Sequence, residues 1–170
     1  MPRRRRTRQG EPTHLVLDNE ALGQLSGGRP SQPLLVALEA AAATVGRILL
    51  PTSVVVERGY DPTAPVAADA NRLLRTAHDD ELTRSRAVEA GRLRQKTHHG
   101  ASVVDAHVAT TALAAIRRHS GTATILTSDS GDMERLLDAS DDTDTRASSC
   151  SRVESSGPPW TRPPGMQARH

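Results

Sequence analysis

Apolar positions arrive along this chain in short blocks, and the period inside each block differs from the next. His14 to Asp18, HLVLD, is an apolar run closed by a carboxylate, which predicts a buried strand. NEALGQLSGG follows and predicts a brief helix closed by Gly27 and Gly28. PLLVALEAAAATVG is apolar all along to Gly46, the pattern of a buried helix. Arg47 to Leu50 predicts a second strand, with a break at Pro51 and a helix from Thr52 or Ser53. Asp69 to Thr76 and Glu81 to Lys96 read as helices, and the stretch between Thr76 and Glu81 has room for a further strand. SVVDAHVATTALAAIRRHSG gives the strongest helical period and ends at Gly121; TATIL is a strand by its β-branched residues. SDSGDMERLLDA opens on cap-type residues before a last helix. Strands alternating with helices predict an α/β fold with a parallel sheet covered on both faces.

Composition narrows this picture. At 170 residues the chain fits one domain, since domains run to about 100–200 residues. Aromatics are 1% and Phe is absent, so the core must be built from Leu, Val, Ile and Ala. The formal net charge of +2 hides segregation: Arg3, Arg4, Arg5, Arg6 and Arg8 crowd the start, and Asp138, Asp141, Asp142 and Asp144 a later stretch. Residues 1–13 read as a disordered Arg-rich arm, 14–140 as the folded domain, and 141–170 as a disordered tail rich in Ser, Pro and Arg. Cys150 is the only cysteine, which excludes an intramolecular disulfide and any multi-cysteine metal site, and fits a reducing cytoplasm. Apolar stretches such as Leu34 to Val45 fall short of the about 20 residues that span a bilayer, so no membrane partner is expected. No uninterrupted apolar segment follows the arginines, so no targeting segment is read.

The carboxylates carry the candidate chemistry. Asp18 closes the first strand and Asp129 follows the last, and in open parallel sheets the crevice beyond the strand ends is the usual binding site. Glu57 and Asp105 lie on helices that could face the same crevice. Four carboxylates brought together raise one another's pKa unless a cation neutralises them. Oxygen ligands suit Mg²⁺ or Mn²⁺, and such ions serve phosphodiester hydrolysis by acidifying water and polarising phosphate. Ligands sharing one or two ions should lie within about 4–8 Å of one another. The nucleotide-cradling patterns GxxxxGK[ST] and GxGxxG and the nucleophile elbow GxSxG do not occur, and adjacent His98 and His99 make no metal pair by themselves. A plainer reading stands beside this one. Asp18 and Asp129 could be helix caps worth about 1 kcal/mol each. Ser102 with Asp105, and Asp129 with Asp132, match capping boxes, and Glu57 could lie on a solvated face. Caps leave unexplained why acids interrupt the apolar runs VVVE and VVDAHVA.

Taken in order, LVLDNEAL, LLPTSVVVERG, SVVDAHVATTALA and ILTSDSGDMERLL resemble the PIN-domain family, and within it the VapC-like toxins of bacterial toxin–antitoxin systems. The match spans His14 to Ala139. The resemblance implies a three-layer α/β/α sandwich with a central parallel sheet of four or five strands. It places metal-binding acids at Asp18, Glu57, Asp105 and Asp129, with Asp132 a fifth member. It further implies Mg²⁺ or Mn²⁺ dependence, hydrolysis of RNA, a cognate antitoxin protein and a homodimer. Asn19-Glu20 departs from the small residues commoner after the first acid, and Glu20 is read as pointing to solvent. A response-regulator receiver would need a lysine after a late strand, where the only lysine is Lys96; a haloacid dehalogenase would need D-x-D, where Asp18-Asn19-Glu20 stands. The alternative of substance is a PIN-like module that binds RNA or protein without cutting. The Arg-rich arm suits phosphate contact in either case, while the lack of aromatics disfavours base stacking.

Overall fold

The computed structural model describes residues 12–27, 30–43, 46–59, 74–98, 100–119, 121–140 and 149–152. Thr13–Leu17 form β1, buried at every position from His14 on. A strand apolar on successive residues has no face for water, so it belongs at the centre of a sheet covered on both sides. There β1 pairs in parallel with β2 (Ile48–Pro51), Val16 opposite Leu49, and with β4 (Thr122–Thr127), Val16 opposite Ile125. Two short strands finish the edges, β3 (His78–Asp80) on β2 and β5 (Ser149–Arg152) on β4, giving the all-parallel order β3-β2-β1-β4-β5.

Flanking the sheet are α1 (Asn19–Ser26), α2 (Gln32–Ala43), α3 (Thr52–Arg58), α4 (Arg84–Lys96), α5 (Val103–His119) and α6 (Ser130–Asp138). The result is the three-layer α/β/α sandwich expected, with five strands. Central to it is α5, whose Ala106, Ala109 and Ala112 are wholly buried against the sheet. Alanine lets a helix axis approach closely, and Leu15, Leu17, Ile125, Leu126, Met133 and Leu136 fill the remaining core in place of aromatics. At the other end of the sheet Gly121 has φ +91, and a Cβ there would lie 2.1 Å from the Pro12 carbonyl oxygen. Only glycine lets Thr122 N reach that oxygen at 3.0 Å and start β4 beside β1.

Three readings from sequence need correction. Ser149–Arg152 lie in the stretch expected to be a disordered tail, yet they form β5. An edge strand is held by main-chain pairing and needs no apolar alternation, so SCSR carried no signal. The helix expected to be buried all round, α2, buries Leu34, Leu38 and Ala41 but exposes Val36, because it covers β1 from one side only. Glu81 to Thr83 precede the helix expected from Glu81, because Thr83 caps α4 by accepting from Arg86 N. The strand for which there was room after Thr76 is β3. Residues 74–76 are helical, and the rest of the helix expected from Asp69 lies outside the described residues, as do the Arg-rich arm up to Glu11 and residues 141–148 and 153–170. Among the described residues no helix is long and apolar enough to cross a membrane.

Candidate functional site

Parallel strands place all their carboxyl ends at one edge of the sheet, and Asp18 stands there between β1 and α1. It is 8% exposed and caps α1, its Oδ1 accepting from Asn19 N at 2.6 Å. Its Oδ2 accepts from the hydroxyl of Thr127, the buried last residue of β4, at 2.7 Å. Burial pushes the Asp18 carboxyl above its ordinary range; the bonds from Thr127 and Asn19 pull the other way, and the charges of Asp105 and Glu20 add to the rise. Asp105 is thus close enough to Asp18 for its charge to be felt. The charge of Glu20 bears on it too; Glu20 is half-buried and accepts from Gln24 at 3.2 Å. The Thr127 hydroxyl oxygen also accepts from Asp129 N at 3.0 Å, so one side chain joins the acids that follow β1 and β4.

Asp105, Asp129 and Asp132 are engaged at helix starts. Ser102 and Asp105 form a full capping box: Asp105 Oδ2 accepts from Ser102 N at 2.9 Å, and Ser102 Oγ from Asp105 N at 3.0 Å. Asp129 caps α6, its Oδ1 accepting from Asp132 N at 3.1 Å, and Asp132 pairs with Arg135. Glu57 is exposed on α3. Among the described residues no three Asp, Glu, His or Cys side chains are grouped to hold an ion. Asp129 is thus linked to Asp18 through Thr127, and the charge of Asp105 bears on Asp18, while Glu57 and Asp132 join no such group. Asp18, Asp105, Asp129 and Asp132 each have a protein partner that answers a charge or a lone pair. The donor set suits a hydrated hard cation. Mg²⁺ takes one or two carboxylates and keeps several waters, and Asp18 and Asp105 are oxygen donors of that kind. Next to Asp18, Asn19 has a buried side-chain oxygen with no hydrogen-bond partner among the described residues.

A second polar constellation was not read from the sequence. Ser53 Oγ lies 2.8 Å from Nδ1 of the wholly buried His107, and His107 Nε2 lies 3.4 Å from Asp80 Oδ2. Asp80 also accepts from Thr111 at 2.7 Å and from buried Arg86 at 3.1 Å. Arg86 donates onward to Glu89 at 3.1 Å and to the Thr110 carbonyl at 3.3 Å. Burial alone would raise the Asp80 carboxyl, but His107, Thr111 and Arg86 outweigh it and hold Asp80 well below the usual carboxylate range. Serine, histidine and aspartate in this order suggest a nucleophile relay. The imidazole is enclosed, however, and no substrate carbon can be placed between it and Ser53. The constellation is a buried strut between α3, β3, α4 and α5. Its one signal in the sequence is the polar trio His107, Thr110 and Thr111 on an otherwise alanine-rich helix face.

No protein-family model matches the chain, and no curated protein does. Among solved structures, VapBC2 from Rickettsia felis bound to a DNA fragment from their promoter is similar over 71% of this chain and 91% of that one, with 16% identity and a TM-score of 0.50. FitAcB from Neisseria gonorrhoeae is similar over 72% of this chain and 92% of that one, with 16% identity and a TM-score of 0.49. At such identity the likeness concerns the fold.

Proposed function

We propose that this chain is a Mg²⁺- or Mn²⁺-dependent endoribonuclease, the toxin of a toxin–antitoxin pair held in check by a cognate antitoxin protein. The observation that carries the reading is Asp18: a carboxylate buried at the centre of the sheet edge, fixed on both oxygens, with a second acid, Asp105, bearing on it. Keeping charges in such a place is costly unless a cation uses them. A divalent ion, when bound, supplies phosphate polarisation and an acidified water. The chain's own part is to hold the donors: Thr127 orients Asp18 and the cap orients Asp105, with Asp129, Glu57 and Asp132 as further proposed members. The fold shared with VapBC2 agrees with the sequence resemblance to VapC-like toxins.

The test separates charge from cap. Asp105→Asn keeps an oxygen to accept from Ser102 N but loses the charge, so it should abolish RNA cleavage with little change in melting temperature. Ser102→Ala removes only the hydroxyl half of the box, at about 1 kcal/mol; the backbone N–H of residue 102 still holds the Asp105 carboxylate, so cleavage should stay intact. Cleavage of an RNA panel is followed with Mn²⁺ and with chelator. Equal cleavage by wild type and Asp105→Asn, or none by either with metal present, would overturn the nuclease. One observation favours a second reading, a PIN-like module that binds RNA or protein without cutting: three of the acids are engaged in helix caps, and no three are grouped. Wild type that binds RNA without cleaving it would establish that module.

A further inference from the structure

We propose that a cationic cleft between α4 and α5 is a subsite for the phosphodiester backbone of RNA, set back along α5 from the carboxyl edge of the sheet. It rests on the RNA reading above and involves no metal. The cleft has a volume of about 460 Å³. From α4 it takes Glu89, Arg92, Leu93 and Lys96, whose spacings of three and four put them on one stripe of that helix. Leu113 and Arg117, four residues apart on α5, line it from the neighbouring helix. Leu93 and Leu113 are buried and give the cleft an apolar floor, while the groups around them are charged. The sign of that charge is positive. Three cations stand against one carboxylate, and Glu89 is already paired with both Arg86 and Arg117. Among the described residues the side chains of Arg92 and Gln95, which both line the cleft, make no hydrogen bond or ion pair. A guanidinium presents a planar fork that matches two phosphate oxygens, and Lys96 adds a second charge one turn further along the stripe. No aromatic ring is among the lining residues, so the cleft grips a backbone and does not stack bases. Leu113 and Arg117 follow Asp105 by eight and twelve residues, which is about 12–18 Å along α5 at about 1.5 Å per residue. A short strand therefore spans from the carboxyl edge to the cleft.

Binding of a fluorescent single-stranded RNA to the full chain, in chelator so that nothing is cut, is followed as salt is raised. On a single strand each phosphate neutralised contributes about 0.7 to the slope of log affinity against log salt. Arg92→Gln and Lys96→Gln should each lower the slope by about 0.7, and the two together by about 1.4; Gln95→Arg, which adds a cation to the same lining, should raise it by about 0.7. Arg84→Gln removes an exposed arginine of α4 that does not line the cleft and should leave the slope unchanged. The Arg-rich start of the chain is common to every variant, so differences in slope report the cleft. Wild-type slopes in both Arg92→Gln and Lys96→Gln, or an equal fall in Arg84→Gln, overturn the subsite. Polyglutamate that displaces the RNA at equal charge concentration overturns it as well, since the cleft then takes acidic protein. Wild type that binds no RNA overturns the RNA reading, and the inference with it. RNA that is bound but stays uncut once Mn²⁺ is restored sinks the nuclease alone and leaves the subsite standing.

Discussion

Replacing Thr127 by valine removes one hydroxyl from a fully buried site and little else, and the structure fixes what that should cost. The hydroxyl donates to Asp18 Oδ2 at 2.7 Å and accepts from Asp129 N at 3.0 Å. Asp129 is exposed, so water replaces the second bond at little cost, and the first dominates. A hydrogen bond to a charged acceptor is worth about 1.5–3 kcal/mol, and one between neutral groups about 0.5–1.5 kcal/mol. Asp18 has an ordinary value of 3.8 and is raised in the folded chain, so folding favours its protonated form. That penalty on the charged form is full above the folded value and vanishes below the unfolded one. Without the hydroxyl the folded value climbs further, and the penalty grows only where Asp18 is charged. Thr127→Val should therefore be about 2 kcal/mol less stable near neutrality, a drop of about 4–8 °C in melting temperature, and only about 1 kcal/mol less stable near pH 4. Thermal denaturation of both proteins across that range measures the gap. A gap that stays constant with pH, or no gap at all, would refute the bond between Thr127 and a charged Asp18. The acid limb of Mn²⁺ binding should move to higher pH in the same variant, because protons then compete for Asp18 over a wider range.

Asp80→Asn leaves buried Arg86 with Glu89 as its remaining carboxylate, and should cost about 2–3 kcal/mol in urea denaturation at pH 7, below the 3–5 kcal/mol of a fully orphaned charge. Because Asp80 is held low, its contribution is present above its unfolded value of 3.8 and is lost as pH falls toward the folded value, so the difference from wild type should shrink below about pH 4. Gly121→Ala places a Cβ against the Pro12 carbonyl at positive φ and should destabilise by about 2 kcal/mol or more; a melting temperature like that of wild type would show that the turn before β4 can open.

Much of this was legible in the chain, and the boundary of legibility has a physical cause. Strands β1 and β4 are buried on both faces and announced themselves as apolar runs; β3, HDD, and β5, SCSR, are edge strands whose only requirement is a backbone to pair with. The acids at Asp18, Asp105 and Asp129 were visible because charge inside an apolar block is costly and rare. Their supports were not visible. Thr127 is 109 residues from Asp18, and Thr127 to a local reading is one more β-branched residue in a strand. The Ser53–His107–Asp80 strut joins residues 54 and 27 positions apart, and of the three only His107 stands out in its own segment. Side-chain pairing across the fold is decided by topology, which a local period does not encode.

Capping and ion binding are commonly set against each other as explanations for an acid at a helix start, but in this topology one produces the other. Every strand runs the same way, so α1 and α6 each begin at the carboxyl edge of the sheet, directly after β1 and β4. Helix α5 must run back to the start of β4, so its first turn lies at that edge too. A helix start favours a carboxylate, through its unpaired N–H groups and its dipole. Three independent local preferences therefore deliver Asp18, Asp105 and Asp129 to one edge before any ion is considered. The cap uses one oxygen of Asp105 and one of Asp129, and a carboxylate has lone pairs for more than one partner. What distinguishes a site from a row of caps is burial: Asp18 alone has been carried into the sheet, where its charge is raised in cost and held by Thr127. A cap needs no such burial, since water would serve an exposed carboxylate better. The residue that bears the cost of desolvation is the one around which a function should be sought.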